Sequence, residues 1–143
     1  MVTLSSAQAA FAQRRRVAHL ATAAPDGRPH VMPVCFVLVE GRFYSAIDEK
    51  PKRTTRLRRL RNIELNPRVS LVFDRYDEDW QELGWVLVEG TASILGGGAE
   101  HGRALAALRQ KYPQYESMRP EGRPLIRVTP EKVSSWGQLE APG

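Results

Sequence analysis

Apolar and polar positions alternate over short runs through much of this chain and fall at helical spacing in three places. Val17 to Ala24 reads as a strand ending in Pro25-Asp26-Gly27. Asp-Gly between extended runs marks a hairpin, because Gly tolerates the positive φ that a tight turn demands. Arg28 to Val39 is a long second strand interrupted by Pro29 and Pro33. Neither proline can donate to a ladder, so this strand is predicted at a sheet edge or bulged. Glu40-Gly41 turns it into Arg42 to Ile47, and Arg68 to Arg75 puts Val69, Leu71 and Phe73 on one side. Trp85 to Leu95 follows, with Gly90 marking a bulge, and Leu125 to Thr129 is the last strand.

The helical stretches carry end signals. Ser5 followed by Gln8 fits a capping box, and Arg14, Arg15 and Arg16 close that helix where cations suit the dipole. Between Thr54 and Leu65, Leu57, Leu60 and Ile63 form one buried stripe, overlapping a Lys50-to-Arg61 stretch dense in Lys50, Lys52, Arg53, Arg56, Arg58, Arg59 and Arg61. After Gly96-Gly97-Gly98, Ala99 to Lys111 buries Ala104, Leu105 and Leu108, with Glu100 near its start and Arg109 and Lys111 near its end. Short strands joined by hairpins, with helices outside, predict a mostly antiparallel barrel or sandwich in one domain over residues 1–143.

Charge sharpens this picture more than composition does. A formal charge of +5 points to an anionic partner, either nucleic acid or a phosphorylated cofactor. A cationic helix opening after a strand suits a phosphate, through backbone N–H donors and guanidinium forks; the plainer reading is a solvated basic face. Cys35 stands alone, so no disulfide framework is expected and the cytoplasm is the default compartment. The order of charged and apolar residues at the start does not fit a signal peptide, and no run approaches the ~18 apolar residues of a membrane span.

Catalytic motifs are absent. His19, His30 and His101 have no metal-like spacing with each other or with Cys35. Asp74, Asp77, Glu78 and Asp79 lack the ordering that wraps calcium, and no phosphate-binding glycine signature or nucleophile context occurs. No residue is assigned as catalytic; His30 or Tyr44 could donate a proton, as could water.

The ordered set PDGRPHVMPVCFVLVEGRFYSA, the basic segment, RNIELNPRVSLVF, LGWVLVEGTA and TPEKVSSWG resembles the pyridoxamine 5′-phosphate oxidase-like superfamily of flavin- and deazaflavin-binding proteins. The DEKPK and YDEDWQELGWVLVEG segments resemble its branch of deazaflavin (coenzyme F420) dependent reductases. That resemblance implies a mainly β fold, an antiparallel Greek-key split β-barrel of the FMN-binding type with flanking helices. It also implies a homodimer with two cofactor sites between subunits, and hydride transfer between coenzyme F420 and a small organic acceptor.

Carried over by position, the resemblance puts His30, Met32, Pro33 and Val34 at the ring edge, with Ser45, Ala46, Ile47 and Asp48 at the cofactor-facing strand end. Lys50, Lys52, Arg58 and Arg59 fall where phosphate ligands stand. Trp85 occupies the place of a glutamine that reaches the cofactor across the dimer in vitamin-oxidising members, and Trp136 packs by the same site.

Two departures matter. The chain ends WGQLEAPG, without the Arg-Leu-His-x-Arg tail that holds substrate phosphate in true pyridoxamine-phosphate oxidases, which argues against pyridoxal phosphate synthesis. Trp85 in place of glutamine argues against a standard FMN site and suits stacking on another tricycle. FMN or haem on the same fold is the alternative. A nucleic-acid binder using Arg14–Arg16 and Arg53–Arg61 ranks below both, for want of interleaved aromatics.

Overall fold

A computed structural model of the protein describes residues 1–47, 58–116 and 123–140. Helix α1 (Ser6–Arg14) leads into strands β1 (Ala18–Ala23), β2 (Pro29–Val34), β3 (Val37–Val39) and β4 (Arg42–Ala46). Helix α2 (Arg58–Leu65), β5 (Arg68–Arg75), β6 (Gly84–Leu95), α3 (Ala99–Lys111) and β7 (Leu125–Gly137) complete it. All strand pairs are antiparallel, in the order β2-β1-β5-β6-β7-β4-β3.

The sheet curls into a half-barrel, and the ring contacts demonstrate it. Phe43 on β4 and Phe73 on β5 lie three strand spacings apart along the sheet, roughly 14 Å if it were flat. Their centroids are 4.9 Å apart, and Phe36 meets Phe73 at the same distance. These rings, with Leu20, Leu71, Val86, Val88 and Ile126, fill the concave side. Helices α1 and α2 close it with Phe11, Ala12, Leu60 and Ile63. Helix α3 lies outside, where Ala104, Leu105 and Leu108 bury against Val37, Tyr44, Ala46 and Leu125.

Local signals hold where neighbours in sequence decide. Ser5 Oγ accepts the Gln8 N–H at 3.1 Å and Gln8 Oε1 accepts the Ser5 N–H at 2.9 Å, closing the capping box. Glu40 and Gly41 take φ of 52° and 82°, the left-handed pair of a primed hairpin turn. Among the described residues, proline-bearing β2 is an edge strand, pairing only with β1.

Two expectations are corrected. The predicted strand Arg28 to Val39 is two strands, because at Phe36 the backbone N–H turns away to donate to Tyr112 Oη at 3.2 Å. The last strand runs on from Thr129 to Gly137. Pro130 has no N–H, but a bulge between Glu89 and Gly90 of β6 lets Gly90 face Pro130 while Glu89 faces Lys132. The predicted helix start at Thr54 to Leu57 lies outside the described residues.

Candidate functional site

The residues singled out from sequence collect in two places. The first is the β1–β2 hairpin and α2. Alternation along β2 sets His30, Met32 and Val34 on the side of Thr22 and Leu20, and Val31 and Pro33 on the other. Val34 is core and Met32 is 37% exposed. His30 is half-buried, and burial, then the positive charges of Arg58 and Arg59, hold its pKa below the usual imidazole value. Its Nδ1 is buried with no hydrogen-bond partner among the described residues. The imidazole of His30 thus stands beside two guanidiniums.

Asn62 anchors α2 here, donating from Nδ2 to Thr22 Oγ1 at 3.0 Å inside the fold. Its outward face presents Arg58 and Arg61 to a groove of about 350 Å³, shared with Pro25, Arg28, Pro29 and Leu65. Asp48, Lys50 and Lys52 lie outside the described residues. Ser45 and Ala46 do not join this surface. Ser45 points into the barrel, 7% exposed, and Ala46 is buried under α3. Ile47 packs against the barrel core from the strand end.

The second place is the convex face of the sheet. Trp85 and Trp136 are direct cross-strand partners on β6 and β7, Trp136 54% exposed. Beside them a shallow depression of about 410 Å³ is lined by His19, Val72, Asp74, Trp85 and Leu87. His19 and Val72 are cross-strand partners, as are Val72 and Leu87, so the residues form one row across β1, β5 and β6. Sequence reading set His19 aside as ordinary; only the strand register places it on this row.

β2 lies three strands from β6, and His30 and Trp85 face opposite sides of the sheet, so one chain holds the basic half and the aromatic half of a site apart. Tyr44 belongs to neither. Its hydroxyl donates to Glu100 Oε2 at 2.6 Å, and Glu100 also accepts from Arg127 at 2.9 Å. Burial, then the bond and charge of Glu100, push the Tyr44 phenol up to about 12, which makes it a poor proton donor. No group of three or more His, Cys, Asp or Glu stands together as a metal site among the described residues.

Residues 4–137 match the family model described as pyridoxamine 5′-phosphate oxidase. The chain belongs to this family. A relative is the 5a,11a-dehydrotetracycline/5a,11a-dehydrooxytetracycline reductase of Streptomyces rimosus, 29% identical over 119 residues, 82% of this chain and 72% of that one. Among solved structures, the conserved hypothetical protein Rv2991 of Mycobacterium tuberculosis superposes with a TM-score of 0.75 at 24% identity, covering 95% of this chain and 86% of that one. An FAD-binding protein of Mesorhizobium loti gives 0.68 at 23% identity, over 94% and 95% of the two chains. HutZ, the haem storage protein of Vibrio cholerae, gives 0.70 at 21%, over 95% of each. These structural likenesses establish the split β-barrel fold. The family is named for an oxidase, an oxidoreductase, and no helix among the described residues is long and apolar enough to cross a membrane.

Proposed function

We propose that this protein is a coenzyme F420-dependent reductase that works as a homodimer in the cytoplasm, transferring hydride between the deazaflavin and a small organic acceptor. The observation that carries this reading is the division of the site. His30, Arg58 and Arg59 form a cationic edge with an orphaned imidazole nitrogen, while Trp85 and Trp136 form an aromatic face three strands away. A two-fold partner would set the aromatic face of one copy against the cationic edge of the other. That composite suits a tricycle carrying an anionic handle. A reductase relative in Streptomyces rimosus supports the activity class.

When bound, the deazaflavin supplies the hydride. The chain's own contribution is binding and orientation. Arg58 and Arg59 would hold the phosphate, each charge-assisted contact being worth ~1.5–3 kcal/mol. The His30 Nδ1 would gain the partner it lacks, and Met32 and Pro33 would line the ring edge. Lys50 and Lys52 remain proposed phosphate ligands. Trp85 and Trp136 would cover the ring and exclude water. Ser45, Ala46 and Ile47 would act only through backbone atoms or by supporting the strand end, given where their side chains point.

A second reading, FMN or FAD on the same scaffold, is favoured by the likeness to an FAD-binding protein. Parallel titration of the protein with coenzyme F420 and with FMN, followed by ligand fluorescence, decides between them. Preferential quenching of the deazaflavin is expected, with affinity falling about tenfold or more in Arg58→Ala. Tighter binding of FMN would overturn the deazaflavin assignment.

A further inference from the structure

The Trp85–Trp136 pair stands one step in from the end of the β6–β7 ladder, whose last pair is Gly84 with Gly137. Glycines bring no side chain to hold a strand end, and strand ends without packing fray. Nothing larger fits. A Cβ on Gly84 would stand 2.4 Å from the Gln138 carbonyl oxygen, and one on Gly137, whose φ is 87°, would stand 2.2 Å from that of Leu83. Trp136 is 54% exposed, so its own packing does little to fix it. The backbone beneath the indoles has to be held from elsewhere.

Arg75, at the end of β5, does this. Its Nε donates to the Glu82 carbonyl at 2.8 Å, its Nη2 to that of Gln138 at 2.6 Å and its Nη1 to that of Glu140 at 3.3 Å. Glu82 stands just before β6 and Gln138 just after β7, so one guanidinium ties both chains past the end of their ladder. The same group lies 5.5 Å from the ring centroid of Phe11 on α1. The chain after β7 is fastened further along. The Gln138 N–H donates to the Leu83 carbonyl at 2.7 Å, and Nη2 of Arg14 on α1 donates to the Leu139 carbonyl at 2.7 Å. Three successive carbonyls, those of Gln138, Leu139 and Glu140, therefore accept from arginines of α1 and β5.

We infer that Arg75 is a positioning residue: by clamping the Glu82 and Gln138 carbonyls together it fixes the end of the β6–β7 ladder, and with it the orientation of Trp85 and Trp136. Arg14 extends the clamp to α1. A planar fork sends its N–H donors in fixed directions, which an ammonium on a flexible stem does not. This rests on the reading of the two indoles as the ring face of the coenzyme site. It adds the group that holds this face ready before the ring arrives, which lowers the ordering cost of binding.

Arg75→Lys tests the clamp, because it keeps the charge and loses the fork. Arg14→Gln removes the second tie without touching β5. Urea melts check that each variant folds. Two readouts are taken without coenzyme: amide hydrogen exchange at Trp136 and Gln138, and fluorine NMR of fluorotryptophan-labelled protein. In Arg75→Lys both amides should exchange about tenfold faster or more, and the Trp136 resonance should broaden or split, under conditions where the barrel stays folded. Arg14→Gln should do the same more weakly. Affinity for coenzyme F420 should fall about tenfold in Arg75→Lys. A role in packing alone would lower the urea midpoint and leave the exchange rates and the indole resonance unchanged, and that result overturns the clamp. Faster exchange with unchanged coenzyme affinity overturns the positioning role. Wild-type protein that binds no coenzyme F420 overturns the functional reading instead, and the exchange rates and fluorine spectra then decide the clamp by themselves.

Discussion

Lys111, the last residue of α3, offers a contest of forces whose outcome can be measured. From sequence it is a cation at a helix end, favoured by the dipole. In the fold its Nζ is buried with no hydrogen-bond partner among the described residues, 3.6 Å above the centroid of Phe36 and 5.3 Å from that of Tyr112. Burial, then the charge of Arg16, lower its pKa to about 8; Cys35 opposes this and Arg15 adds to it. Moving from 10.5 to about 8 sets roughly 3 kcal/mol against the charged form, and water reaching the rest of the side chain screens this to about half. The ring contact returns ~0.5–2 kcal/mol to the ammonium.

Desolvation and repulsion therefore slightly outweigh the ring contact. Lys111→Met keeps the length and packing of the stem and removes the charge. The variant should gain up to about 1 kcal/mol at pH 7, seen as a rise in Tm of up to about 3 °C. The sign with pH follows from linkage. The folded pKa lies below the unfolded one, so the penalty is complete below pH 8 and is relieved as pH rises toward 10.5, where the unfolded chain alone keeps the proton. The advantage of the variant should shrink over that window. Urea melts of both proteins at pH 7, 8.5 and 10 measure it. A variant less stable by ~1 kcal/mol at pH 7, or a gain independent of pH, would refute the reasoning.

Two further outcomes are expected. His30 should titrate below 6.5 in the protein alone, and inorganic phosphate should raise its pKa by offsetting Arg58 and Arg59; NMR of the imidazole with and without phosphate checks this, and no change would place the anion elsewhere. Gly90→Ala should destabilise by ~2–4 kcal/mol in denaturant melts, because a Cβ there would stand 2.1 Å from the Thr129 carbonyl oxygen, a backbone atom that cannot step aside.

Sequence alone determined whatever depends on residues within one turn or one hairpin. The Ser5–Gln8 cap, the Asp26-Gly27 and Glu40-Gly41 turns, the strand Arg68–Arg75, the helix Ala99–Lys111 and the edge position of β2 are all set by local hydrogen bonding and φ preferences. The two halves of the candidate site are not legible in that way. Trp85 and Trp136 become partners only because the bulge at Glu89/Gly90 shifts the β6–β7 register by one residue; continued from Gly90–Pro130 without it, Trp85 would face Ser135 and the indoles would part to opposite sides of the sheet. His30 meets the charges of Arg58 and Arg59 because α2 is pinned to β1 through Asn62 and Thr22, forty residues apart. Register and pinning of this kind depend on contacts between distant segments, which chain-local patterns do not encode, and so the tertiary structure decided where the chemistry could assemble.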